Sequence, residues 1–127
     1  MLKIKTYIDK SKIHGLGLFS KEFVPAGTIV WEYNPIFTLK LTKAQIKNLS
    51  AEEAEHLEEG EYYWIDSEGN YMLPVDNDRF INHSSNPNIT GGGNMISIAV
   101  RDILADEELT ADYKTIVPSH LWQDYYL

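Results

Sequence analysis

Residues 2–8, Leu-Lys-Ile-Lys-Thr-Tyr-Ile, alternate apolar and polar, the period of a half-buried or edge strand. Ser11 to Ser20 is an apolar stretch interrupted by Gly15 and Gly17; glycine inside a strand pattern marks a bulge or a close backbone approach. Val24-Pro25-Ala26-Gly27 reads as a turn, and Thr28 to Leu41 is rich in β-branched and aromatic residues, broken at Asn34-Pro35. Thr42 is a helix N-cap, Lys43 to Glu59 holds strong helix formers on a thin apolar stripe, Ser50 offers a second cap, and Gly60 ends the run. Tyr62 to Ile65 and Tyr71 to Val75 form a predicted hairpin around Asp66–Asn70. Gly91 to Asn94 is a flexible turn. Met95 to Ile103 is the clearest predicted strand, with Ile96, Ile98 and Val100 on one face. Leu109 to Tyr113 is short and extended, and Pro118 heads a terminal helical turn.

Many short strands, one helical stretch and no strand–helix alternation exclude a doubly wound nucleotide-binding sheet. They predict a mainly β, β-rich α+β fold. The 127 residues suit one domain, with 42–60 as a helical insert and 115–127 as an aromatic tail.

Composition narrows the function classes. No apolar run reaches the length of a membrane span, and Met1-Leu2-Lys3-Ile4-Lys5 is no signal peptide. The absence of Cys excludes disulfides and thiolate zinc sites and fits an intracellular, cytoplasmic setting. The four His residues lack ligand spacing, so no metal is expected. A net charge of −8 argues against direct nucleic-acid binding. The charge is uneven, with eight acids and no Lys or Arg between residues 51 and 70. That run is either a solubilising face or a surface that attracts a basic peptide.

The stretch Arg79-Phe80-Ile81-Asn82-His83-Ser84-Ser85-Asn86-Pro87-Asn88 has no hydrophobic period. Its Asn and Ser side chains suit turns, but so many amide and imidazole groups in one place also suit the reading of a polar ligand. Gly15 and Gly17 lack the third glycine of a dinucleotide fingerprint, and no phosphate-loop Gly-Lys-Ser/Thr occurs.

Four pieces in this order resemble the SET-domain protein lysine methyltransferases. They are His14-Gly15-Leu16-Gly17-Leu18-Phe19, then Glu32-Tyr33, then Arg79 through Asn88, and finally Glu108-Leu109-Thr110-Ala111-Asp112-Tyr113. The resemblance implies small twisted β-sheets with a C-terminal pseudoknot, the insert 42–60 forming one wall of a peptide groove. It implies S-adenosylmethionine as cofactor, approached by the backbone at Gly15, Leu16 and Gly17. Asn82 would bond its amino-acid end, His83 would meet the adenine, and Arg79 and Phe80 would frame the pocket. Tyr33 would line the lysine channel, and Tyr113 would be the catalytic tyrosine.

The implied partner is a protein or peptide bearing a lysine, basic in charge. The implied setting is nuclear in a eukaryotic host, and a homodimer is left open. Three departures stand out. Asn34-Pro35 follows Glu32-Tyr33 where the family has a Gly nearby, Ala111 stands where an aromatic is common, and no cysteine-rich zinc segment follows. The number of methyl groups added is therefore open, and Trp122, Tyr125 or Tyr126 become candidates to cover the cofactor. The rival reading is a SET-like module that binds a peptide without turnover.

Overall fold

The computed structural model describes residues 1–60, 63–92 and 95–116. β1 (Thr6–Lys10) pairs antiparallel with β2 (Leu16–Ser20), Tyr7 opposite Phe19, and these two rings stack at 5.4 Å. β3 (Ile29–Glu32) pairs with β8 (Ile96–Ile98) across a register shift. β4 (Thr38–Leu41), β5 (Trp64–Ile65) and β6 (Tyr71–Pro74) form one antiparallel sheet with β6 in the middle. β7 (Asn82–His83) runs parallel to β9 (Thr110–Ala111). The sheets are small because almost every predicted strand is cut short by a Gly, a Pro or a polar turn.

The core lies where these sheets meet. Leu18, Ile81, Ile89, Ile103 and Leu109 are among its fully buried side chains, drawn from distant parts of the chain. Each contributes roughly 1.5–3 kcal/mol by leaving water. The helical insert is two helices: α1 (Lys43–Lys47) and α2 (Ala51–Gly60). The break follows from a second capping box. Ser50 Oγ accepts the Glu53 N–H at 3.1 Å and Glu53 Oε1 accepts the Ser50 N–H at 3.2 Å, repeating the Thr42–Gln45 box that starts α1.

Two expectations are corrected. The alternating residues 2–8 do not form one strand: β1 begins at Thr6, while Leu2 bridges to Trp31 and the Lys3 N–H donates to Val30 O at 2.9 Å. In the segment 95–103 the buried face is the opposite one. Ser97 and Ala99 are buried and Val100 is 50% exposed. Ala99 packs into the hydrophobic core cluster, and Ser97 stands opposite Trp31 in the β3–β8 pairing. A Cβ on Gly92 would lie 3.0 Å from the Trp31 ring and 3.7 Å from Ser97 Oγ, so the indole packs close against Gly92.

Segment 107–111 is held on both edges. On one side Ser20 N–H donates to Glu107 O at 3.0 Å and Leu109 N–H to Leu18 O at 2.8 Å. On the other, beside the β7–β9 pairing, Ser84 N–H donates to Ala111 O at 3.0 Å and Ile89 N–H to Thr110 O at 3.1 Å. Asn88 completes the ladder with its side chain. Its Oδ1 accepts the Thr110 N–H at 2.8 Å and its Nδ2 donates to Glu108 O at 2.7 Å. The chain 82–89 thus wraps the C-terminal segment as a pseudoknot, a threading that few folds tolerate.

Behind β7 the 3₁₀ turn Asn77–Phe80 carries Asp78, which is 3% exposed. Asp76 Oδ2 accepts the Leu2 N–H at 2.8 Å. With both acids ionised, Asp76 Oδ1 and Asp78 Oδ1 would be buried without a hydrogen bond. A proton retained on Asp78 resolves this. Burial, then the hydrogen bond to Asp76 and its charge, push Asp78 up to about 9 from 3.8, against the opposing Met1 amino group. Burial also pushes Asp76 up, but hydrogen bonds from Asp78 and Leu2 outweigh it and hold Asp76 below its ordinary value.

The folded chain therefore keeps the Asp78 proton through a range where the unfolded chain has released it. Stability falls with rising pH from about 4 to about 9 on this account and is flat above. Asp78→Asn keeps the shape and cannot ionise. Thermal melts should show a mutant advantage in Tm that grows between about pH 5 and about pH 9; an advantage independent of pH would contradict the shared proton.

Candidate active site

A cleft of about 700 Å³ is lined by Ile13, His14, Gly15, Leu16, Glu59, Arg79, Phe80, Asn82, His83 and Tyr113. Four elements build it: the loop entering β2, the end of α2, the 3₁₀ turn running into β7, and the residue after β9 and Asp112. Seven residues singled out from the sequence meet here: Gly15, Leu16, Arg79, Phe80, Asn82, His83 and Tyr113. Arg79 lies over the Phe80 ring, its guanidinium carbon 5.0 Å from the centroid, which presents a cation and an apolar face together.

Asn82 is the hub. Its Nδ2 donates to His14 O at 3.0 Å, Leu16 O at 3.0 Å and Glu108 Oε1 at 2.9 Å. Two N–H groups face three acceptors, so this end of the amide is fully engaged in holding the loop and offers no free donor to a ligand. Glu108 in turn takes the Ser11 hydroxyl at 2.8 and 3.0 Å. Ser11 Oγ accepts the Ile13 and His14 N–H groups at 2.9 and 3.2 Å. The loop is therefore tied at both ends to one carboxylate.

The two glycines have different reasons. Gly15 has φ +46° and nothing within 4 Å of where a Cβ would sit: the backbone turns there and faces the open cleft. Gly17 does not line the cleft. A Cβ on it would lie 2.3 Å from Glu108 Oε1 and 3.1 Å from Ser11 Cβ, so Gly17 makes room for the carboxylate.

Tyr113 is buried at the base of the cleft. Its hydroxyl donates to Ile81 O, and its N–H donates to His83 Nδ1 at 3.1 Å. The His83 and Tyr113 rings meet edge-on at 5.5 Å. Asp112 Oδ1 caps the turn by accepting the Lys114 N–H at 3.0 Å.

Tyr33 is not among the residues of this cleft. It meets Trp64 edge-on at 6.1 Å, and Trp64 meets Trp31 edge-on at 5.6 Å. Both indole N–H groups are buried without a hydrogen-bond acceptor among the described residues. Trp122 lies outside the described residues. Sequence reasoning missed Ser11, Glu59, Trp31, Trp64 and the role of Glu108. Only Glu108 carried a signal, as the first residue of the motif that ends in Tyr113.

The contact between Gly17 and Glu108 is testable by a double-mutant cycle. Gly17→Ala should lower stability by about 1–3 kcal/mol through overpacking against a pinned carboxylate. In a Glu108→Ala background the same change should cost clearly less, because the obstacle is gone. Urea unfolding of the four proteins checks this, and strictly additive losses would show that Gly17 and Glu108 do not share the space.

The SET domain family model matches residues 15–114, which include every cleft residue except Ile13 and His14. The chain is 36% identical over 124 residues to histone-lysine N-methyltransferase ATX2 of Arabidopsis thaliana, covering 83% of this chain and 10% of that protein. It is 33% identical over 126 residues to histone-lysine N-methyltransferase 2B of Homo sapiens, covering 84% of this chain and 4% of that protein. The chain thus spans a tenth or less of the length of these curated relatives. A solved structure of a humanized mutant of the Chaetomium thermophilum Polycomb Repressive Complex 2 is similar with a TM-score of 0.67. The match is 24% identical and covers 91% of this chain and 16% of that one; it speaks for the fold alone. The match over residues 15–114, on a fold of short sheets closed by a pseudoknot, shows that the chain belongs to the SET-domain family.

Proposed function

We propose that this chain transfers methyl groups from S-adenosylmethionine to the side-chain amine of a protein lysine. The observation that carries the reading is the meeting of Gly15-Leu16, Arg79-Phe80, Asn82-His83 and Tyr113 around one cleft. Its volume, about 700 Å³, suits a cofactor of this size. Gly15 fits the role as well, because its bare backbone faces open space. The relatives' names give histone lysines as their targets. A basic, histone-like segment is accordingly the proposed substrate class, with the nucleus as the place of work in a eukaryotic host.

When bound, S-adenosylmethionine supplies an electrophilic methyl on a cationic sulfur, which the neutral lysine nitrogen takes by in-line displacement. The chain's own part is positioning. Arg79 would offer its guanidinium to the carboxylate of the amino-acid end, with Asn82 holding the loop that frames the cleft. Phe80 and Leu16 give the apolar walls, and His83 borders the adenine side. Trp122 is assigned a covering role on sequence alone. Tyr33, walled by Trp64, lines the lysine channel. A free lysine has a pKa near 10.4, and an aromatic, desolvated channel favours the neutral amine. Tyr113, anchored by its hydroxyl bond to Ile81 O, would help orient the incoming amine.

Labelled S-adenosylmethionine and lysine-bearing basic peptides test this directly. Wild type should transfer label to lysine; a pure binding module would transfer none. Tyr113→Phe should keep cofactor affinity within a few-fold while turnover falls by about 10²–10³. Because the Ile81 carbonyl loses its donor, the mutant should also be less stable, by about 1–3 kcal/mol, so rates are compared well below its Tm. Turnover within about threefold of wild type would remove Tyr113 from the catalytic role.

A further inference from the structure

Among the described residues lining the cleft, Glu59 is the only carboxylate and the only contribution of α2. α2 carries five glutamates, and Glu59 is the one that lines the cleft. The last turn of α2 carries no basic residue. A helix C-terminus is already partly negative, so an acid in its last turn is disfavoured. The ionic neighbour of Glu59 is His56, whose Nδ1 lies 4.0 Å away, with both side chains largely exposed. Such a pair holds a carboxylate weakly. Arg79 also lines the cleft, its guanidinium over the Phe80 ring. Among its described lining residues the cleft therefore has one carboxylate, at the end of a helix, and the Arg79 guanidinium.

We infer that Glu59 is a specificity-determining residue for the charge on the cofactor's sulfur, favouring the sulfonium cofactor over the neutral thioether product. The inference rests on the reading above that the cleft binds S-adenosylmethionine. The cofactor's amino-acid end carries an ammonium and a carboxylate and is internally compensated. The sulfonium is the uncompensated charge, and it is lost when the methyl leaves. A carboxylate in the wall, backed by the helix dipole, holds the charged species and releases the uncharged one. The insert helix then acts in exchanging product for fresh cofactor, besides any role as a groove wall.

The test is calorimetric binding of S-adenosylmethionine and S-adenosylhomocysteine to wild type, Glu59→Gln and Glu52→Gln. Glu52 lies in the first turn of the same helix and does not line the cleft. Both substitutions are on an exposed helix surface and remove the same charge. Glu59→Gln should weaken the sulfonium ligand by about two- to fivefold at low salt, the scale of an exposed ion pair. The thioether should be unchanged, and the difference should shrink as salt is raised. Glu52→Gln should alter neither ligand. Equal weakening of both ligands, no change in either, or the same effect from Glu52→Gln would each overturn the inference. Wild type that binds neither ligand would overturn the cofactor reading itself, and this inference with it.

Discussion

One carboxamide organises the functional half of this molecule. Asn82 Nδ2 reaches two carbonyls of the loop before β2 and the carboxylate of Glu108. Three separate pieces of chain are thereby fixed to each other: the loop 11–16, the strand β7 and the C-terminal segment. Hydrogen bonds to a charged acceptor are the strong ones, roughly 1.5–3 kcal/mol. Losing the amide would also leave Glu108, half buried, with one fewer donor. Gly17 makes room for this junction, since a side chain there would occupy the carboxylate's place.

The pseudoknot follows from the same need. Leu109, Thr110 and Ala111 are buried between β2 and the wrapping chain 82–89, and a buried backbone must find partners on both edges. β7 supplies only two residues, so the Asn88 side chain stands in for a third strand position by pairing with both Thr110 and Glu108. The threading delivers Tyr113 to the base of the cleft with its backbone N–H on His83 and its hydroxyl on Ile81. Both anchors lie in or beside β7, so the residue proposed for catalysis is set by the strand that also carries Asn82.

Much of this was legible in the sequence, in an uneven way. The motif residues met in space because their chemistry is local: glycine at a positive φ, an Arg-Phe pair, an Asn-His pair. Capping residues placed both helices, and Ser50 divided them as its side chain allows. Periodicity failed where a distant residue decided the outcome. Ser97 and Ala99 are inside because they face Trp31 and a core drawn from distant segments, and no pattern within 95–103 records that. Ser11 and Glu59 were invisible for the same reason, since one acts through Glu108 and the other reaches the cleft from an insert whose pattern only says helix.

The central claim is that the loop 13–16, the run 79–83 and Tyr113 form one cofactor cleft around the Asn82 junction. The most direct measurement is a titration of isotope-labelled protein with S-adenosylmethionine followed by amide NMR. The account predicts saturable shifts concentrated at Ile13 to Leu16, Arg79 to His83 and Tyr113, with the sheet β4–β6–β5 little affected. Shifts that never saturate, or that centre on the Tyr33–Trp64 side and spare the Asn82 junction, would contradict it.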